Sequence, residues 1–292
     1  MFKGVYTALV TPFKDGSIDY DSLDAIIEEQ VAAGVSGVLP MGTTGESPTV
    51  SHEEHNQIIA HVVKAVNGRV KVLAGTGSNS TDEAVFLSKN AEKCGADAVL
   101  VVNPYYNKPP QRCLVDHFAT VAKNIGVPVM LYNIPGRTGV NFEPESMAEL
   151  CEISSNVVAL KEAAGDIGQV MRIVELLGNR LNLMIGDDNL VLPAMAVGAT
   201  GVVSVLSNII PADMVRVASS WLNGEHAESK ELFYRILPLC RMMFLDTNPI
   251  PIKAVMAAAG KCSPQVRKPL LPLEDDKLKM IIQTFAEYGV KL

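Results

Sequence analysis

The residue with the clearest chemical potential in this chain is Lys161, which ends an apolar run. Val157–Leu160 precede it directly, and a short apolar run with β-branched residues is typical of a buried strand. Removal from water disfavours the charged ammonium form of an amine, and a neutral amine is a nucleophile that forms Schiff bases with carbonyl substrates. Two other interpretations are open at this point: Lys161 could pair with Glu162, or its side chain could extend to solvent.

Other candidate side chains also follow strand-like runs. Thr43 and Thr44 lie in Gly42–Glu46, where the backbone could form either a tight turn or a nest of N–H groups for a carboxylate. Tyr132 could be an ordinary strand aromatic, but beside an amine its phenol could relay protons. Arg137 could be a surface charge, or its planar guanidinium could bind a carboxylate.

Motifs of other chemistries are incomplete in this sequence. Gly75-Thr76-Gly77 lacks the third glycine of a dinucleotide-binding fingerprint, and His52 and His55 are spaced i, i+3 rather than as in HExxH. No GxSxG motif supports a serine hydrolase. Asp187 and Asp188 are expected to be turn and cap residues rather than catalytic acids.

Eight strand-like runs alternate with helical periodicity along the chain. The predicted strands are Val5–Phe13, Gly37–Met41, Val70–Gly75, Ala98–Asn103, Val127–Asn133, Val157–Ala163, Leu181–Gly186 and Gly201–Leu206. Eight strands that are each followed by a helix predict an α/β fold, the (β/α)8 TIM barrel, with a doubly wound sheet as the alternative. In such a barrel the carboxyl ends of the strands form the active site, so the candidate residues gather on one rim.

Helix signals support this organisation and extend it beyond the barrel. Helical periodicity covers Tyr20–Ala33, and Ser51–Glu54 and Ser80–Glu83 both fit a capping box. After the eighth unit we expect a C-terminal helical extension, which divides the chain into a barrel over 1–224 and a helical region over 225–292. The helices of this extension are predicted near Glu225–Leu245, Ile250–Ala259 and Asp275–Tyr288.

Composition restricts the partners and the location of the protein. The 292 residues are 48% hydrophobic and carry a net charge of −7, which argues against nucleic acid or an anionic membrane as a partner. The five scattered cysteines form no CxxC pair, as expected of free thiols in a reducing cytosol. No export signal is recognisable, so we expect a cytoplasmic protein.

At these motifs the chain resembles the dihydrodipicolinate synthase family over nearly its whole length. The wider aldolase and lyase superfamily shares the barrel, the threonine-containing loop, the tyrosine and the lysine. The features typical of the synthase itself are the Tyr105-Tyr106 pair, Arg137 within an RTG motif, and the run NPIPIK. The matching stretches are Gly42–Ser47, Pro104–Asn107, Tyr132–Gly139, Lys161-Glu162 and Asn248–Lys253.

The resemblance implies a reaction and a role for each site residue. Lys161 would form a Schiff base with pyruvate, whose enamine would attack the aldehyde of L-aspartate 4-semialdehyde. Cyclisation would give 4-hydroxy-tetrahydrodipicolinate, the entry to diaminopimelate and lysine. No metal or organic cofactor is implied, because the lysine itself supplies the electron sink. The proton-relay residues would be Tyr132, Thr43 and Tyr106, and the substrate-binding residues Thr44, Arg137, Gly186 and Val203.

The resemblance also implies assembly and regulation. Tyr106 would reach into a neighbouring subunit of a homotetramer built as a dimer of dimers. L-lysine would bind as a feedback inhibitor at the tight-dimer interface, although Pro48 and Val50 depart from the alanine and leucine expected nearby. The residues that match the inhibitor site are His52, His55, Asn79, Glu83 and Tyr105, of which Glu83 could simply complete its capping box.

Two other functions are compatible with the sequence. The chain could be another pyruvate-dependent aldolase, such as N-acetylneuraminate lyase or a keto-deoxy-sugar aldolase, which would share Lys161 and Tyr132. It could also be a non-catalytic barrel that senses pyruvate or lysine.

Overall fold

A closed barrel of eight parallel strands forms the centre of the computed structural model, which describes residues 2–290 and 292. The hydrogen-bonded order is β1-β10-β9-β8-β7-β6-β5-β4, and pairing of β1 with β4 closes the ring. The TIM-barrel prediction is therefore confirmed, and the doubly wound alternative is wrong. The barrel strands are β1 (Gly4–Ala8), β4 (Gly37–Leu39), β5 (Lys71–Gly75), β6 (Ala98–Val102), β7 (Val129–Asn133), β8 (Val157–Glu162), β9 (Asn182–Ile185) and β10 (Gly201–Ser204).

The first strand is shorter than the sequence predicts. It ends at Ala8, and Phe13 belongs instead to a small antiparallel hairpin formed by β2 (Phe13–Lys14) and β3 (Ser17–Ile18). The reason is that the intervening backbone leaves the strand ladder: the Val10 N–H donates to the Asn208 side chain at 3.2 Å. The residues after Ala8, which the sequence predicted to continue the strand, thus contact the segment that contains Asn208.

Helices follow each barrel strand and cover the outside of the sheet. Asp19 caps α1, and the predicted box at Ser51 and Glu54 is complete, with both reciprocal hydrogen bonds present. The helices are α1 (Tyr20–Ala32), α2 (His52–Val66), α3 (Thr81–Lys93), α4 (Gln111–Lys123), α5 (Pro135–Thr138), α6 (Pro144–Ile153), α7 (Ile167–Leu177), α8 (Val191–Ala196), α9 (Pro211–Leu222), α10 (His226–Met242), α11 (Ile250–Ala258) and α12 (Asp275–Tyr288).

The second predicted capping box is only half correct. Ser80 accepts from the Glu83 N–H as an N-cap should, but the Glu83 carboxylate does not return to Ser80. It bonds the Ser78 hydroxyl and lies 2.7 Å from His52 Nε2. Glu83 is therefore engaged between two helices, in a contact that local sequence cannot indicate.

Two apolar layers hold the barrel together. One lies between the strands and the surrounding helices, and the other fills the inside of the barrel with residues such as Tyr6, Leu100, Met130 and Met184. Because the interior is filled by side chains, a substrate has access only to the mouth. The fold thus concentrates any chemistry at the carboxyl ends of the strands.

The C-terminal helices share the core of the barrel. Ile252, Val255 and Met256 of α11 are fully buried and belong to the same apolar cluster as the barrel's outer layer. The division of the chain at residue 224 stays a prediction, but this contact shows how closely the last quarter adheres to the barrel. Among the described residues, no helix has the length and apolar character needed to cross a membrane.

Candidate active site

The central feature of the barrel mouth is a lysine that lies on a tyrosine ring. Tyr132 of β7 and Lys161 of β8 are direct partners in the strand register, so both side chains point inward. Lys161 Nζ lies 4.3 Å from the centroid of the Tyr132 ring, and the two residues are 6% and 5% exposed. The two structural interpretations of Lys161 are wrong, because its amine is buried and Glu162 points to the opposite face of β8.

Gly186, immediately after β9, leaves room for this amine. A Cβ atom at Gly186 would lie 2.9 Å from Lys161 Cε and 2.8 Å from Ala163 Cβ, closer than real contacts allow. The absence of a side chain at Gly186 is therefore what allows Lys161 to occupy this position. Any larger residue at this position would displace the lysine side chain or the strand that carries it.

A carboxyl group that the sequence interpretation assigned to a turn lies near the amine. Burial raises the pKa of Asp187, and the Lys161 charge opposes that rise. Asp188 makes a long-range contact rather than the local turn or cap that the sequence predicted: its carboxylate accepts from the N–H groups of Val205 and Leu206 at 3.0 and 2.9 Å. The available signal for Asp187 was its position directly after the predicted strand Leu181–Gly186.

A cavity of about 360 Å3 opens at the mouth beside this pair. Thr43, Tyr132 and Arg137 line it, together with the backbone of Gly42. The absence of a side chain at Gly75 allows the start of the threonine loop to approach β5 closely, since a Cβ atom there would lie only 2.2 Å from the Met41 carbonyl oxygen. Candidate relay and carboxylate-binding groups therefore surround one space that a small substrate can enter.

Asn248, from the C-terminal region, joins two of the predicted substrate-binding residues. Its amide nitrogen donates to Thr44 Oγ1 at 3.0 Å, and its backbone carbonyl accepts from Arg137 Nη2 at 3.0 Å. The Asn248 side chain is buried, and its amide oxygen has no hydrogen-bond partner among the described residues. The last quarter of the chain thus orients groups at the mouth of the barrel.

A buried ion pair anchors the same loop from below. Lys253 Nζ lies 2.6 Å from Glu46 Oε1, donates to the Thr11 carbonyl at 2.8 Å, and sits 4.3 Å above the Phe13 ring. Both charged side chains are almost fully buried, and burial lowers the pKa of Lys253 while Glu46 opposes that shift. The other Glu46 oxygen accepts from the Arg267 N–H at 2.8 Å.

This ion pair explains two motifs whose connection the sequence does not reveal. Glu46 and Lys253 are separated by 207 positions, and each was recognised only within its own motif. Glu46 also has a φ of 57°, a left-handed conformation that is unfavourable for a residue with a side chain. Its carboxylate contacts therefore hold a strained turn in the loop that carries Thr43 and Thr44.

The predicted inhibitor residues lie beside the same cavity. His52, His55, Glu83 and Tyr105 all line it. The His55 Nε2 lies 2.8 Å from the Gly75 carbonyl, and burial lowers the pKa of this histidine. Asn79 is nearby but outside the lining, and its carbonyl accepts from the Asn107 amide at 2.9 Å.

Six predicted site residues are absent from the cavity lining in the described part of the chain: Thr44, Asn79, Tyr106, Lys161, Gly186 and Val203. Tyr106 and Val203 differ from each other in how far they are exposed. Tyr106 is 90% exposed with a φ of 70°, and it is absent from the cavity lining in the described part of the chain. Val203 is completely buried and faces the barrel interior, where it belongs to the same cluster as Tyr132. In residues 2–290 and 292, no group of three His, Cys, Asp or Glu could hold a metal ion.

Comparison with known proteins places this architecture in one family. The model of the dihydrodipicolinate synthetase family matches residues 1–287. The chain belongs to this family. A curated relative, the 4-hydroxy-tetrahydrodipicolinate synthase of Endomicrobium trichonymphae, is 46% identical over 290 residues, which cover 99% of each chain.

Solved structures of the family superpose closely on the chain. The Aquifex aeolicus synthase has a TM-score of 0.98 at 41% identity and covers 100% of this chain and 99% of its own. The chloride-inhibited Acinetobacter baumannii synthase complexed with pyruvate has a TM-score of 0.97 at 36% identity, covering 99% and 100%. The Cyanidioschyzon merolae synthase with lysine bound has a TM-score of 0.96 at 38% identity, covering 99% and 98%.

We predict that Lys253→Met destabilises the fold. Removing one partner of a buried ion pair leaves the other charge uncompensated, which costs about 3–5 kcal/mol. Chemical denaturation should show this loss in the free energy of unfolding.

The double variant Glu46→Gln with Lys253→Met provides the decisive comparison. It removes both charges yet keeps an amide oxygen for the Arg267 N–H, so it should recover most of the stability lost by the single variant. Arg216→Met, which breaks an exposed ion pair with Glu228, is the control and should cost less than about 1 kcal/mol. Equal losses in all three variants would contradict the anchoring role.

Proposed function

We propose that the chain condenses pyruvate with L-aspartate 4-semialdehyde to give 4-hydroxy-tetrahydrodipicolinate, the first committed step of diaminopimelate and lysine biosynthesis. The observation that carries this proposal is the buried Lys161 amine on the Tyr132 ring, at the mouth of a barrel. The full-length identity of 46% to a 4-hydroxy-tetrahydrodipicolinate synthase supports the choice of substrates.

Lys161 carries the chemistry in this proposal. In its unprotonated form, the amine adds to the ketone carbon of pyruvate; uptake of a proton and loss of water then give a protonated imine that withdraws electrons from the methyl carbon. Loss of a methyl proton produces an enamine, whose carbon attacks the aldehyde carbon of the second substrate. The amino group of the bound aldehyde then displaces the Lys161 nitrogen as the ring closes, which returns the free enzyme.

The groups around the cavity supply proton transfer and carboxylate binding. The Tyr132 ring lies against the amine, and we assign its phenol to proton transfer during imine formation, with Thr43 as the next member of the relay. The pyruvate carboxylate is bound at the loop that carries Thr44, while Gly186 leaves room for the Lys161 side chain and Val203 packs with Tyr132 in the barrel interior. Arg137 binds the carboxylate of the aldehyde, with its guanidinium oriented by the Asn248 carbonyl.

Assembly completes the relay in this proposal. Tyr106 is exposed and held in a left-handed turn, so it is available to enter the site of a neighbouring subunit. A symmetric dimer would exchange this tyrosine in both directions. We assign the functional protein to a homotetramer made of two such dimers.

L-lysine is the proposed inhibitor of the assembled enzyme. The hydrogen-bonded pair of His52 and Glu83, with His55 and Tyr105, forms a polar wall of the cavity that suits a ligand with both an amine and a carboxylate. Asn79 lies at the edge of this wall. A family member with lysine bound supports the assignment.

We predict that borohydride in the presence of pyruvate attaches one reduced pyruvate to Lys161, detected by peptide mass spectrometry. Lys161→Ala should give no adduct and lower activity by on the order of a thousandfold or more, because the nucleophile is gone. Lys71→Ala, which removes an exposed lysine on β5, is the control and should be trapped normally. An unmodified wild-type protein would favour a sensor over an enzyme.

Substrate choice is tested in the same preparation. The enzyme should consume L-aspartate 4-semialdehyde with pyruvate and should not cleave N-acetylneuraminate. Turnover of the sugar alone would instead identify another aldolase of the superfamily.

We predict that Arg137→Ala separates the two substrates kinetically. Loss of a charged hydrogen bond to the aldehyde carboxylate should raise the KM for L-aspartate 4-semialdehyde by about 10- to 100-fold. Pyruvate trapping on Lys161 should proceed at nearly the wild-type rate. Arg180→Ala, on the outer surface, is the control. A parallel loss for both substrates would remove the assigned role of Arg137.

We predict that two inactive variants restore activity when they share one assembly. A Lys161→Ala subunit keeps its Tyr106, and a Tyr106→Phe subunit keeps its Lys161. If Tyr106 acts in the neighbouring subunit, a pair of these two subunits contains one complete site. Randomly mixed subunits should then recover about a quarter of the wild-type activity, because one site in four has both groups. Mixed assemblies no more active than the parent variants would show that Tyr106 does not act between subunits.

A further inference from the structure

A buried polar cluster lies on the outer face of the barrel, directly behind the proposed reacting pair. Asn103, Asn133 and Glu162 follow or end the three neighbouring strands β6, β7 and β8, and each is completely buried. Asn141 and Gln169 complete the cluster from the loop after α5 and from α7. We call these five residues the Asn133–Glu162 network.

Asn133 has a fixed orientation within this network. Its amide oxygen accepts from Asn103 Nδ2 at 2.7 Å and from the Phe142 N–H at 2.9 Å. Its amide nitrogen must therefore face the other way, where it donates to both Glu162 oxygens at 3.0 and 3.2 Å and to Asn141 Oδ1 at 2.8 Å. The side chain cannot flip without losing these contacts.

Glu162 meets only hydrogen-bond donors. Besides Asn133, its partners are the Ala164 N–H at 2.7 Å and Gln169 Nε2 at 3.2 Å. Burial raises the pKa of this carboxyl group, and the hydrogen bonds from its donors oppose that rise. Both oxygens of the side chain face hydrogen-bond donors. Such a site is suited to a carboxylate, which only accepts, and unsuited to an amide of the same shape, whose NH2 group would face a donor.

The network shares its strand positions with the reacting pair. Asn133 is opposite Glu162 in the register of β7 and β8, just as Tyr132 is opposite Lys161 one residue earlier. Side chains alternate across a strand, so a hydrogen bond between Asn133 and Glu162 on the outer face also fixes the relative position of Tyr132 and Lys161 on the inner face. The bond lies at the last residues of both strands, where the ladder ends and ordinary sheet pairing gives least support.

We propose that Glu162, held by Asn133, is a positioning residue that sets the geometry of the Lys161 amine against the Tyr132 phenol. The outer carboxylate keeps the two strand ends together, and the inner amine is thereby held where it can add to a ketone. This inference rests on the proposed Schiff-base function. It assigns a role to the second residue of the Lys161-Glu162 motif.

The first test is the rate of borohydride trapping with pyruvate in Glu162→Gln. The NH2 group of the introduced glutamine would face an N–H donor of the network, and this repulsion should shift the ends of β7 and β8. A displacement of reacting groups by about 1 Å can cost on the order of a hundredfold, and we expect the trapping rate at saturating pyruvate to fall by about 10- to 100-fold. The pyruvate concentration for half-maximal trapping should change little, because the Thr44 loop is anchored separately.

Two further variants distinguish positioning from a general loss of stability. Asn133→Asp combined with Glu162→Gln exchanges the carboxylate and the amide, so one acceptor-only group remains opposite one donor, and trapping should recover at least partly. Thr7→Val removes an equally buried hydrogen bond, from Thr7 Oγ1 to Gln30 at 2.6 Å, on a strand without a reacting residue. Thr7→Val should trap pyruvate at the wild-type rate.

The outcomes separate this inference from the proposed function. A slow Glu162→Gln variant, a recovered exchange variant and an unaffected Thr7→Val support the positioning role. Wild-type trapping by Glu162→Gln overturns it, and so does an equal slowing in Thr7→Val or a failure of the exchange variant to recover. If the wild-type protein itself forms no adduct, the proposed function fails first.

Discussion

The register between β7 and β8 is the constraint on which the candidate site depends. Side chains alternate along a strand, so the pairing of Tyr132 with Lys161 also pairs Asn133 with Glu162 on the opposite face. A slip of one residue would carry the Lys161 amine out of the mouth if it occurred in β8, and the Tyr132 phenol if it occurred in β7. The outer hydrogen bonds, which a slip would break, therefore protect the inner arrangement.

A second level of organisation links the mouth to the C-terminal region. Asn248 contacts Thr44 and Arg137, and Lys253 reaches Glu46 through an ion pair from which water is excluded. Buried ion pairs are weak evidence for stability, because desolvation of the two charges offsets much of their attraction. Their geometric demand is high, which suits a loop in which Glu46 is held in a left-handed conformation.

The inner and outer faces of the barrel sheet have different roles at the candidate site. The inner face is mostly apolar and carries few reactive side chains, and Thr43, Tyr132 and Arg137 line a cavity at the mouth. Outward residues such as Asn133 and Glu162 are polar yet completely buried, so they contribute orientation rather than contact with a ligand. Asp187 belongs to neither set, since it follows β9 and interacts electrostatically with Lys161.

The sequence by itself determined the barrel, the strand that carries Lys161 and the rim on which the reactive groups are expected to gather. It could do so because these features rest on local apolar runs, turn residues and short motifs. Only the tertiary structure decided that β1 ends at Ala8, that Glu83 turns from Ser80 to His52, and that Glu46 meets Lys253. These contacts join residues from separate elements, so only packing and strand register could select them.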